Sequence, residues 1–159
     1  MSNTKNLRRE LNSFIRTIQN NRLSVIMKGK RISVENREVV IHVIINKIKE
    51  KIENIKSIDD IMSKDELENR ETYNDLKRTY GEKKAKEMYL KIVKGILEEQ
   101  VNNLFNDNDA EVEVIKFSSK HGGEYVFSFR PTGDYLPFKY TIKAMRVNVG
   151  YELSVDMQM

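Results

Sequence analysis

With 159 residues, a net charge of +4, and 33% charged against 39% hydrophobic residues, the chain has the make-up of one folded domain rather than a disordered tail. It contains no cysteine, which excludes disulfides, thiolate nucleophiles and thiolate metal sites together. No run approaches the roughly 18 apolar residues of a membrane span, and Met1 to Leu7 lacks the apolar stretch of a signal peptide, so a cytoplasmic protein is expected.

Leu7, Leu11, Phe14, Ile15 and Ile18 recur at helical spacing with Arg8, Arg9, Glu10, Asn12 and Arg16 opposite, which predicts an amphipathic helix over residues 4–20. Residues 22–27 and 31–34 flank Lys28-Gly29-Lys30. Gly29 can supply the positive φ of a tight turn, so a small basic hairpin is a possible addition. A long helix is predicted from after Ser33 to about Ile55, where Ile41, Ile44, Ile48, Ile52 and Ile55 repeat at three and four. So many β-branched residues lower helix propensity, and burial must offset that.

Residues 57–75 are locally acidic, with seven acids against Lys64 and Arg70. Ser63-Lys64-Asp65-Glu66 has the form of a capping box, and predicts a helix through Leu67, Tyr73 and Leu76 to Tyr80, stopped by Gly81. From Glu82 to about Phe105 a third helical pattern is apolar over more than half its circumference, which predicts a central element. Asn106 to Asp109 form a turn cluster. The period then becomes two. Three strands are predicted around Tyr125 to Arg130, Phe138 to Ala144 and Tyr151 to Met157, with Glu111 to Phe117 a less regular fourth. A sheet with one apolar face needs helices to cover it. The expected fold is therefore a single α+β domain over 1–159. Its helical part (about 1–106) packs on one face of a three- to four-stranded antiparallel sheet (about 110–158).

Chemistry-bearing motifs are scarce. His42 sits inside the isoleucine helix, where a partly buried histidine is the expected reading. His121 precedes Gly122-Gly123, but no Gly-x-Ser-x-Gly elbow accompanies it. The seven glycines form neither a phosphate-binding loop nor a dinucleotide fingerprint. Glu111, Glu113 and Lys116 come nearest to a magnesium-binding strand, yet no second strand offers a facing acid. Asp59-Asp60 and Asp65-Glu66 are better read as carboxylates favoured at helix N-termini. Tyr125, Phe127 and Phe129 are expected in the core, since their spacing does not fit an RNA-recognition strand. No catalytic residue, cofactor or metal is expected, and the chain reads as non-enzymatic.

The positive signal is charge. The first 37 residues carry nine bases and two acids, a net +7, while the remaining 122 carry a net −3. Arg8, Arg9, Arg16, Arg22, Lys28, Lys30 and Arg31 are the candidate partner-binding residues. Arginine forks suit phosphates and carboxylates, and each neutralised phosphate releases counterions. A second cluster, Lys77, Arg78, Lys83, Lys84 and Lys86, is interleaved with acids and reads as a solvated face.

A small, cysteine-free, highly charged and motif-free α+β chain resembles the inhibitors encoded by phages and mobile elements of AT-rich Gram-positive bacteria. Among these it is similar in size and composition to the anti-CRISPR proteins that bind RNA-guided DNA nucleases. That resemblance implies a host defence nuclease as partner, engaged at a nuclease domain or as its guide RNA complex. The basic balance departs from acidic DNA mimics, although residues 59–75 offer a local acidic surface. Two other readings stand beside it: a nucleic-acid-binding module using the basic arm, and a scaffold subunit whose helix 39–55 pairs with its own copy.

Overall fold

A computed structural model describes residues 4–19, 24–27, 30–33, 37–120, 124–132, 136, 138–147 and 150–158. A three-residue strand β1 (Thr4–Asn6) leads directly into α1 (Leu7–Gln19). The hairpin β2 (Ser24–Met27) and β3 (Lys30–Ser33) comes next, then α2 (Arg37–Glu53). A 3₁₀ turn (Ile58–Asp60) precedes α3 (Lys64–Glu68), α4 (Glu71–Tyr80) and α5 (Glu82–Asn106). The chain closes on β4 (Glu111–Lys120), β5 (Glu124–Pro131), β6 (Lys139–Val147) and β7 (Gly150–Gln158).

The class is α+β, as expected. The C-terminal meander supplies four antiparallel strands, and β1 adds a fifth by pairing with the start of β4. The basic hairpin does form, and it joins the sheet through the parallel pairing of β2 with β7. Among the described residues the order is β1-β4-β5-β6-β7-β2-β3, seven strands where three to four were expected. The surplus strands come from the N-terminal region, and the pairings that join them to the meander, β1 with β4 and β2 with β7, are long-range.

Local chemistry sets the other departures. The first helix starts at Leu7, not residue 4, because Asn6 caps it: its Oδ1 accepts from Arg9 N at 2.9 Å, while its Nδ2 donates to Asn108 O at 3.0 Å. The helix expected from 63 to 80 is broken at Asn69 and Arg70. There Asn74 Nδ2 donates to Glu68 O at 2.7 Å and satisfies a carbonyl at the end of α3. Ser63 caps α3 as expected, accepting from Glu66 N at 3.2 Å. Gly81 ends α4 and opens α5 at φ +86° and ψ 167°, a conformation that only glycine adopts readily.

The irregularity of β4 is a bulge. Val114 pairs with Phe129, but Lys116 pairs with Ser128, so one extra residue shifts the pleat. Phe117 thereby faces the same side as Phe127 and lies 5.9 Å from it.

One hydrophobic cluster runs from Leu7 to Val155. Phe14 of α1 packs 5.9 Å from Phe127, and Phe105 of α5 packs 6.2 Å from Phe129. Phe129 stacks on Tyr140 at 5.5 Å. The isoleucines of α2, Ile41, Ile44, Ile48 and Ile52, are all buried. The stripe expected to pair with a second copy is therefore consumed by this chain's own core. α4 lies along α5, where Tyr73 meets Tyr89 at 5.9 Å.

Candidate functional site

The basic arm is divided by the fold. Leu7, Leu11, Phe14, Ile15 and Ile18 bury one side of α1 against the sheet, which fixes where every arginine of that helix points. Arg8 flanks the apolar stripe and is half-buried. It pairs with Glu38 at the start of α2 and donates to Phe105 O at 3.5 Å, in the last turn of α5. A cation at helix-terminal carbonyls opposes the negative end of the dipole. Arg8 thus clamps three helices together, a role that depends on a residue 30 positions away.

Arg9 and Arg16 take the opposite course. Both are exposed. Seven residues apart, they share one side of the helix about 10.5 Å from each other along its axis. Lys5, on β1, is exposed as well. None of the three forms an ion pair among the described residues, and half-buried Asn12 and Ser13 lie between the two arginines. This is a fixed, polar, cationic face on an element whose back is locked in the core.

Lys30 and Arg31 lie on β3, at the far edge of the sheet. Four strand spacings separate β5, beneath α1, from β3, about 19 Å at the usual interval. The structure therefore does not bring the hairpin bases together with Arg9 and Arg16. Arg22 and Lys28 lie outside the described residues.

Other candidates resolve differently. His42 is exposed on α2, not partly buried, because it falls on the side away from Ile41, Ile44 and Ile48. His121 lies outside the described residues. Glu111 and Glu113 are exposed on β4, and no metal-binding group of acids and histidines occurs among the described residues. Phe127 and Phe129 are buried and Tyr125 half-buried, as expected.

The second basic cluster is a solvated, paired face. Lys86 bonds Asp59 at 3.2 Å and approaches Glu82 at 3.6 Å, Arg78 pairs with Asp75, and Lys84 lies over the Tyr80 ring at 5.7 Å. The hydrogen bond to Asp59 is the largest cause raising the Lys86 pKa above its ordinary value. A cleft of about 470 Å³ between α2 and the β6–β7 pair is lined by Lys47, Lys51 and Lys143 with Glu50, Glu152 and Asp156. Three charges of each sign give it no preference for an anion or a cation.

No family model matches this chain, and no curated protein or solved structure matches it either. Among the described residues no helix is long and apolar enough to cross a membrane.

Proposed function

We propose that this chain is a non-enzymatic inhibitor that binds a bacterial CRISPR nuclease, at a nuclease domain or in its guide-bound complex, and blocks DNA cleavage in the host cytoplasm. The observation that supports a binding role is the Arg9–Arg16 face, two exposed arginines whose backbone positions are set on a core-anchored helix. A backbone already ordered by the fold loses no further entropy on binding, and arginine forks match both carboxylates and phosphates. The choice of a CRISPR nuclease as partner rests on the resemblance in size and composition.

Magnitude favours a protein-containing partner over naked nucleic acid. Lys5, Arg9 and Arg16 neutralise at most about three phosphates, a log–log salt slope of roughly −2 to −3. That is shallow for a stand-alone nucleic-acid binder. A guide-loaded nuclease offers phosphates beside protein surface, and a standard interface of about 1,600 Å² suffices to block it. The alternative, a nucleic-acid-binding module, is favoured if the hairpin bases act with α1, which steepens the slope.

Pull-down of guide-loaded nuclease, with free guide RNA and duplex DNA in parallel, separates the two. The inhibitor reading predicts a stoichiometric complex at physiological salt, weakened by the Arg9→Ala/Arg16→Ala double variant. Retention of naked nucleic acid alone, with steep salt dependence, would transfer the conclusion to the second reading.

A further inference from the structure

The helix α5 carries more apolar surface than its own fold covers. Its buried row, Ala85, Tyr89, Val93, Leu97, Val101 and Phe105, advances four residues at a time, so it winds about 200° around the axis. Ile92 and Ile96 are left 41% and 37% exposed. Gly95 lies exposed between them, and a Cβ there would meet nothing within 4 Å. Glycine weakens a helix interior relative to alanine, and nothing inside this chain requires it.

The charge of the helix is also segregated along its length. Residues 82–94 hold five lysines and two glutamates, whereas 95–107 hold Glu98, Glu99 and Asp107 and no base. The dipole acts only within the terminal turns, and Glu98 and Glu99 lie about two turns from the end of the helix, so the dipole does not account for this segregation. The sign changes at the glycine.

We infer that the chain pairs with a second copy of itself through this face of α5, the two helices running antiparallel about a two-fold axis at Gly95. An isologous contact needs a surface complementary to itself, and this one is. Lys91 and Glu99 each lie four residues, about 6 Å, from Gly95, so Lys91 of each copy meets Glu99 of the other. Ile92 and Ile96 lie three residues before and one residue after Gly95, so the isoleucines of both copies flank the axis, and the absent side chain at Gly95 lets the backbones approach. Farther out, Lys84 reaches the open groove of about 470 Å³ lined by Ile96, Glu99, Asp107 and Glu111. A partner of one charge sign would match only half of this helix. The 25-residue helix is about 37 Å long, which limits the contact to the low end of specific interface sizes.

Sedimentation velocity and light scattering of the full chain from about 1 µM to about 1 mM cover the range of weak specific association. The wild type is expected to dimerise across this range. Lys91→Glu and Glu99→Lys each place like charges opposite one another twice, and each is expected to weaken the dimer at least about tenfold. The double variant Lys91→Glu/Glu99→Lys restores opposite charges and is expected to recover dimerisation. All of these positions are exposed, and unchanged far-UV circular dichroism confirms that the variants fold. A strictly monomeric wild type at about 1 mM overturns the inference. So does a dimer indifferent to the single reversals, or one that the double reversal fails to restore.

Discussion

Replacing Phe14 by alanine removes the side chain that seats α1, and with it the arginine face, on the sheet. Phe14 is 1% exposed, with ring centroids of Phe127 and Phe117 at 5.9 and 6.2 Å. Burial of such a side chain is worth about 1.5–3 kcal/mol, and each aromatic pair adds about 0.5–1.5 kcal/mol. The sum, about 2.5–6 kcal/mol, brackets the 3–5 kcal/mol typical of buried phenylalanine-to-alanine changes. For a chain of this length each kcal/mol moves Tm by about 2–4 °C, so Phe14→Ala is expected to lower it by about 6–20 °C. Thermal and urea unfolding measured by circular dichroism report both numbers. A loss under about 1 kcal/mol, typical of a surface change, would refute the packing of α1 on the β4–β5 pair.

Arg9→Ala and Arg16→Ala, by contrast, are expected to change stability by no more than about 0.5 kcal/mol in the same assay. The two glycines that join and interrupt the helices should respond with opposite sign. Gly81→Ala, forced to φ +86°, is expected to destabilise by about 1–3 kcal/mol, while Gly95→Ala stabilises the monomer by about 0.5–1 kcal/mol, both read from urea midpoints. Ser63→Ala removes the cap on Glu66 N and is expected to cost about 1 kcal/mol, with faster hydrogen exchange in α3. The Lys86 ammonium is held above its usual pKa chiefly by the Asp59 hydrogen bond. Its contribution to stability is therefore fully present below the ordinary lysine range and lost as pH rises through the folded value. Asp59→Asn should bring the Lys86 titration back towards that range, as followed by NMR of its side chain.

The helical periods and the β meander were legible because burial writes them directly into residue spacing: Leu7, Leu11 and Phe14 on α1, Ile41, Ile44 and Ile48 on α2, Tyr140 and Ile142 on β6. The features that escaped depend on partners distant in sequence. A three-residue strand, Thr4 to Asn6, has no alternation to read, and its pairing with Glu111 to Glu113 is a tertiary event. The bulge at Val114 moves Phe117 to the opposite face from the one strict alternation assigns. Asn6 as helix cap was the missed local signal, since asparagine is among the best N-cap residues.

Within the candidate site, the arginines of α1 were legible as a group but not individually. Arg8 and Arg9 are neighbours in sequence, yet a 100° turn of helix separates a structural clamp from an exposed cation. Only Glu38 and Phe105, brought in by the fold, decide which is which. The hairpin bases looked continuous with them along the chain, whereas the sheet order sets them on the far edge.

The proposed inhibitory function is tested most directly by a cleavage titration. Guide-loaded DNA nuclease from a low-GC Gram-positive bacterium is incubated with increasing amounts of the protein before target DNA is added. Cleavage is expected to fall to a floor near one equivalent, and the Arg9→Glu/Arg16→Glu variant, its fold checked by circular dichroism, is expected to shift the titration to higher concentration. Cleavage unchanged at large molar excess would contradict it.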